Sequence, residues 1–423
     1  MRATGAKSIG TLLVAILVVG LLAGLAGALV TVLLQAVEHL AYGYSSGSFL
    51  VGVEHAPGGV RVAALGVAGL LGGIGWWALR RFGRPVVTVE ETVDGTRMPV
   101  LSTPLTVLLQ IVMVGLGASV GRELAPRLLG ALAADQLSRA RGITPGTRRI
   151  LVAAGAGAGL AAVYNVPLGG ALFALEILLA EFTPEAVLAA LGTSVIATVV
   201  ARIVVAPTAL YALPNVDVTP GWLVFACAAG PVLGLAGIGF DSMTRRARAW
   251  RPRPRWQLIA MPVTFLLVGA IAVAQPSVLG NGKALAQLAI DSNGPIGLLL
   301  LLALLKALAT AATIFSGADG GTLTPSVSIG AALGAAAALP LAQVVPGLSA
   351  AGGAVIGAAA FLSAAMQAPV TAAVLLIEFT GSSPQVALPV LVAVVGATAV
   401  RRLVPQRGAA RSRSGESTGV DGG

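Results

Sequence analysis

Three observations predict an all-α integral membrane protein of inverted-repeat architecture with broken, tilted helices. First, hydrophobic residues make up 56% of the 423 and charged residues only 10%, with a mean hydropathy of +0.91. A water-soluble domain carries about 25% charged residues, so this chain lacks the polar groups to cover a water-facing surface. Second, many apolar runs are too short to cross about 30 Å of hydrocarbon at about 1.5 Å per residue. Short helices at that depth are tolerated only inside protein or against a watery cavity. Third, part of the first half reappears in the second. Ala158 to Glu176 lies over Ala360 to Glu378, with the prolines and the glutamates each 202 positions apart (369 − 167 and 378 − 176). Each copy reads small-residue helix, proline break, short apolar helix and terminal glutamate, the pattern of transporters with discontinuous helices.

The chain opens with Arg2 and Lys7 and then an apolar stretch too long for a signal peptide, predicted as a first membrane helix over 8–37. Further segments are predicted over 60–79, 103–117, 127–134, 150–164, 168–179, 186–205, 222–240, 258–273, 296–315, 326–342, 350–365, 370–379 and 387–400. Uninterrupted apolar runs replace the alternation that a β-barrel strand needs. The 55 glycines suit closely packed helices, and Gly330-Ala331-Ala332-Leu333-Gly334 has the small-xxx-small form.

A net charge of +10 would suggest nucleic acid for a soluble protein. Here the positive charge clusters in loops and tails, so the lipid bilayer is the expected partner and nucleic acid is not. Residues 1–7 are read as a cytoplasmic N-terminus, 8–244 as the first repeat and 256–404 as the second. Between them, 245–255 is a basic linker holding Arg245, Arg246, Arg248, Arg251, Arg253 and Arg255. Residues 405–423 form a Gly/Ser/Arg-rich tail expected to be disordered and cytoplasmic, with no soluble regulatory domain after it. Cys227 is the single cysteine, which excludes an intrachain disulfide. Two histidines, His39 and His55, are too few and too poorly spaced to propose a metal site. No metal or other cofactor is expected.

The organising stretch is Gly121-Arg122-Glu123-Leu124-Ala125-Pro126, a charged hexapeptide between apolar flanks. An Arg-Glu pair there must find partners or neutralise. Pro126 fits the first turn of a helix, which places Glu123 beside a helix N-terminus that favours negative charge. The pattern is an anion site already holding a carboxylate. Gly321-Thr322-Leu323-Thr324-Pro325 is its partner in the second half, with Gly321 200 positions after Gly121 (321 − 121).

These residues resemble the CLC family of chloride channels and chloride/proton antiporters, in its prokaryotic form without CBS domains, over residues 8 to 403. Gly121-Arg122-Glu123 looks like the family's G-R-E-G-P signature, and Gly321 to Pro325 is similar to its G-x-F-x-P signature. Tyr164-Asn165-Val166-Pro167-Leu168, followed by Leu175-Glu176, resembles its N-x-P-L…E stretch. The resemblance implies a homodimer in the cell (inner) membrane, with both termini cytoplasmic and a separate anion path in each subunit. It implies Glu123 as the gate and proton carrier, with chloride held by amides around Leu124, Thr322, Leu323 and Thr324. Arg122 would position the gate and shape the outer potential, with Gly121, Pro126, Gly321 and Pro325 supporting the motifs.

Four departures stand out. The glycine after the gate is Leu124, and the proline falls one place late. The family's G-S-G-I-P segment matches either Arg81-Phe82-Gly83-Arg84-Pro85 by spacing or Gly95-Thr96-Arg97-Met98-Pro99 by appearance. Its C-terminal tyrosine is missing, since the last tyrosine is Tyr211. Its inner proton glutamate is replaced by Ile177, leaving Glu176 or Glu181 to relay protons. An uncoupled chloride channel therefore stands beside a coupled exchanger, and fluoride stands beside chloride because Thr324 suits a small anion. An organic-anion transporter would need more buried cations than Arg122 and Lys306. A reading from another class comes from Gly117-Ala118-Ser119-Val120-Gly121, which matches the G-x-S-x-G nucleophile elbow of hydrolases. It lacks the strand–turn–helix context and a nearby histidine, and helix packing is the expected reason for its glycines.

Overall fold

The computed structural model describes residues 2–214, 218–291, 294–382 and 384–404. The predicted disordered tail, 405–423, lies outside the described residues. The first half comprises α1 (Arg2–Tyr42), α2 (Phe49–His55), α3 (Gly58–Phe82), α4 (Val89–Val93) and α5 (Ser102–Gly115). It continues with α6 (Leu124–Ala140), α7 (Pro145–Tyr164), α8 (Pro167–Leu172) and α9 (Pro184–Ala201). Past α8 the chain widens into a π-turn over Phe173–Leu179. The second half comprises α10 (Pro220–Ala249), α11 (Pro254–Ala274), α12 (Lys283–Ile290) and α13 (Ile296–Phe315). It ends with α14 (Leu323–Leu341), α15 (Ala350–Met366), α16 (Pro369–Thr380) and α17 (Pro384–Leu403). Eight described helices are long and apolar enough to cross a membrane.

Proline and short hydroxyl residues set the boundaries. Proline opens α7, α8, α9, α10, α11 and α16, where its missing N–H would be unpaired anyway. Thr144, Thr183 and Ser349 cap α7, α9 and α15 through their hydroxyls. The proline breaks share one conformation: Asn165 (φ 55°) and Gln367 (φ 58°) turn left-handed two residues before Pro167 and Pro369. Gly117 (φ 105°) and Gly317 (φ 112°) repeat the match ahead of the two motifs. The first glycine of G-x-S-x-G is thus a turn residue rather than a helix-packing one, because side chains strain at this φ.

Packing shows the repeat as two sets of like contacts. α6 lies on α7 as α14 lies on α15, and α1 embraces α7 and α9 as α10 embraces α15 and α17. The halves meet through equivalent pairs, α3 with α11 and α8 with α16. Small residues permit the close approaches: a methyl on Gly334 would come within 2.1 Å of the Gly353 carbonyl oxygen.

Two boundaries differ from the sequence reading. The basic linker is largely helix, since Arg245, Arg246 and Arg248 form the last turns of α10. Residue 244 lies within that helix, which packs on α15 and α17. Arginine suits helices well, so a charge run does not end one. The segment expected over 127–134 is the longer α6, which starts at Leu124 and runs to Ala140.

Arginines gather at alternate helix ends, at Arg80 and Arg81 of α3, Arg139 of α6, Arg246 and Arg248 of α10, and Arg401 and Arg402 of α17. They define an arginine-rich face. Buried there, Asp135 accepts from Arg139 Nε at 2.8 Å, Arg148 Nε at 2.7 Å and the Met98 amide at 3.1 Å.

Candidate functional site

The two motifs meet directly. The Gly121 amide donates to the Gly321 carbonyl at 2.8 Å and the Gly321 amide to the Gly121 carbonyl at 3.1 Å, an antiparallel pair between the starts of α6 and α14. Gln110 Nε2, fully buried on α5, donates to the same Gly121 carbonyl at 3.0 Å. The glycines leave the space that the Glu123 carboxylate occupies. A methyl on either one would stand 2.0 Å from a carboxylate oxygen of Glu123.

Glu123 is 1% exposed. It occupies the N-cap position of α6, yet its side chain makes no capping bond to its own helix. Its carboxylate reaches across to the other half, where Oε1 accepts from the Leu323 amide at 2.7 Å. Oε2 accepts from the Thr324 hydroxyl at 3.3 Å and the Tyr164 hydroxyl at 3.4 Å. The expected neighbour of the α6 amides is therefore seated on the N-terminus of α14. Leu323 and Thr324 supply donors to it. Thr322 instead starts α14, its carbonyl accepting from Ser326 Oγ at 2.7 Å. Leu124 is the first residue of α6, Pro126 lies buried in its first turn, and Pro325 lies buried in that of α14.

Tyr164 was not singled out as a site residue, and local pattern offers no reason to do so. It closes α7 next to the left-handed Asn165, a position that carries its hydroxyl to the Glu123 carboxylate. Arg122 covers it, with the guanidinium carbon 5.0 Å from the ring centroid. Arg122 Nη2 donates weakly to the Val163 carbonyl at 3.5 Å, and its Nε is buried without a partner.

Above Arg122 and Tyr164 opens a cavity of about 390 Å³, away from the arginine-rich face and lined also by Glu38, Tyr44, Asn281 and Lys283. Tyr44 donates to Glu38 at 3.1 Å, and burial together with that carboxylate pushes the phenol pKa up. Lys283 holds its proton less tightly than a free lysine, through burial first and the Arg122 charge second. The cavity lining reaches Arg122 and Tyr164 but not Glu123.

Glu176 and Glu378 occupy a different place. Glu176 accepts from the Val370 amide at 3.0 Å, and from the Thr371 amide and hydroxyl at 2.6 Å each, so it caps α16. Glu378 returns the contact to α8, accepting from the amides of Leu168 at 3.0 Å and Gly169 at 2.6 Å. Glu181 lies at the surface in an ion pair with Arg149 at 3.2 Å.

Ser119 and Lys306 come together out of reach of solvent, each 0% exposed. Lys306 Nζ donates to Ser119 Oγ at 2.9 Å and to the carbonyls of Val278 and Gly280 at 2.9 and 2.6 Å. Ser119 in turn donates to the Val278 carbonyl at 3.2 Å. The hydroxyl is a structural ligand of a buried ammonium rather than a presented nucleophile.

Residues 68–402 match the family described as "Voltage gated chloride channel". An H(+)/Cl(-) exchange transporter ClcA of Klebsiella pneumoniae is 31% identical over 356 residues, covering 78% of this chain and 74% of that one. A voltage-gated ClC-type chloride channel ClcB of Salmonella typhimurium is 30% identical over 388 residues, covering 88% and 91%. The solved structure of a slow cyanobacterial Cl-/H+ antiporter superposes with a TM-score of 0.81 at 23% identity, covering 93% of this chain and 94% of that one. With the family matched over most of its length, the chain belongs to the voltage-gated chloride channel family.

Proposed function

We propose that the protein carries chloride, or a similar small inorganic anion, across the cell membrane along a path gated by Glu123. The observation that carries this reading is the seat of the Glu123 carboxylate on the Leu323 amide and Thr324 hydroxyl. Those donors suit a free anion equally well, and partial charges bind an ion without trapping it. Ionised, the gate holds the anion's place. Protonated, it loses its charge-assisted bonds, which are roughly twice as strong as neutral ones, and gives way.

The arginine-rich face is assigned to the cytoplasm by the positive-inside rule, which puts both termini there and the cavity above Arg122 outside. A homodimer with one path per subunit is the assembly that the family resemblance implies. A second reading, uncoupled conduction, is favoured by Glu176, whose oxygens are taken up as a helix cap while Ile177 follows it.

The test is chloride flux from proteoliposomes with simultaneous proton recording, for the unaltered chain, Glu123→Gln and Glu123→Ala. Both variants are expected to raise flux at neutral pH and flatten its pH dependence. Unchanged flux and pH dependence in both would remove Glu123 from the gate. Protons moving against chloride would select exchange over conduction, and repeating the assay with fluoride identifies the preferred ion.

A further inference from the structure

Between Glu123 and the arginine-rich face lies an ion pair that neither motif accounts for. Arg127 stands four residues after Glu123 on α6, so the two side chains share a helix face about one turn apart. Its guanidinium stacks on Phe173 at 4.2 Å from the ring centroid, and its side chain is 13% exposed. Its Nε is buried without a partner. Its ion pair runs from Nη2 to Glu90 Oε1 at 3.3 Å, and the Glu90 side chain, on the short α4, is 57% exposed. A largely buried cation with donors to spare is thus neutralised by a loosely held carboxylate.

The other carboxylate acting on Arg127 is Glu123 itself. Arg248 lies nearby, on the last turn of α10. Its Nη2 donates to the Gly320 carbonyl at 3.1 Å, one residue from the Gly121–Gly321 pair, and the charges acting on it are Arg251 and Asp319 first, then Glu90 and Arg127. The neighbouring Arg80 and Arg251 are engaged by Asp319, at 3.3 and 2.7 Å. Arg127 is therefore the cation paired with Glu90, whereas Asp319 is the carboxylate acting most on Arg248.

We propose that Arg127 and Glu90 form a second gate on the arginine-rich side, where an entering chloride-sized anion displaces the Glu90 carboxylate from Arg127 before it meets Glu123. The inference rests on reading the chain as an anion path gated by Glu123. The device resembles the first gate in using a protein carboxylate to hold the anion's place, but its binder is a full guanidinium charge. A full charge binds too firmly for rapid passage, and the return of Glu90 drives release.

The test is equilibrium exchange of radiolabelled chloride in proteoliposomes of the full chain, at rising chloride kept equal on both sides. Removing the competitor with Glu90→Gln is expected to lower the half-saturating chloride about threefold, the scale of a partly exposed ion pair. Arg127→Gln is expected to raise it by a similar factor. Arg127→Lys, which keeps the charge but not the planar fork, is expected to fall between Arg127→Gln and the unaltered chain. The double variant should match Arg127→Gln, because Glu90 then has nothing to compete for. A merely structural pair would change the amount of active protein and the maximum rate, leaving half-saturation where it was. That result in monodisperse Glu90→Gln and Arg127→Gln overturns the inference alone, whereas an unaltered chain that exchanges no chloride overturns the Glu123 reading with it.

Discussion

Gly321→Ala is a sharp probe of the gate. The added methyl would lie 2.0 Å from Glu123 Oε1 and 2.3 Å from its Cδ, against an ordinary contact of about 3.5 Å. The obstacle is the far end of a side chain, so the carboxylate yields and the backbone stays. A retreat of about 1.5 Å takes Oε1 out of hydrogen-bond range of the Leu323 amide, now 2.7 Å away. Losing one bond to a charged group costs about 1.5–3 kcal/mol, which lowers the plugged population about tenfold to a hundredfold. Chloride efflux from proteoliposomes should rise about tenfold at neutral pH. It should change little at acid pH, where the protonated gate already yields. In a Glu123→Ala background the methyl has nothing to strike, so Gly321→Ala should add nothing. Folded Gly321→Ala protein with the original flux and pH profile would refute the seat of Glu123. The same effect with and without Glu123 would show that the methyl acts on the path itself.

Two further outcomes follow from the polar groups around the site. Glu176→Gln keeps the shape of the α16 cap but removes the charge from three bonds, two of them at 2.6 Å. Its thermal midpoint in detergent should fall by the equivalent of about 1–3 kcal/mol with proton coupling unchanged; lost coupling at an unchanged midpoint would make Glu176 the relay after all. Asp135→Asn leaves Arg148, itself 7% exposed, without its buried counter-charge. A cost of about 3 kcal/mol or more is expected in chemical unfolding, and a change under about 1 kcal/mol would show that the arginines find other partners.

The sequence announced what depends on expensive residues. Charges and prolines in apolar surroundings need a reason to be there, and they mark Glu123, both motifs and the proline breaks in the sequence itself. The seat of Glu123 was less legible. A helix-start motif suggests that the carboxylate serves its own helix, whereas its partner amide is 200 positions away. Tyr164, Arg127 and the partners of Lys306 were obscure for the same reason, since those contacts come from other parts of the chain and leave no local period. The helical state of Arg245, Arg246 and Arg248 was hidden because a run of arginines resembles a loop, while packing of α10 on α15 and α17 accompanies its helix.

The exchanged carboxylates of Glu176 and Glu378 have a bearing on ancestry. Each half supplies the anchor that the other half's short helix needs, and neither finds it within itself. Two identical half-length chains, inserted in opposite orientations, would make that handclasp with one glutamate used twice. Joining them end to end frees the copies to diverge, one motif keeping a glutamate where the other keeps the amide and hydroxyl that receive it, while the shared grip preserves their mutual alignment.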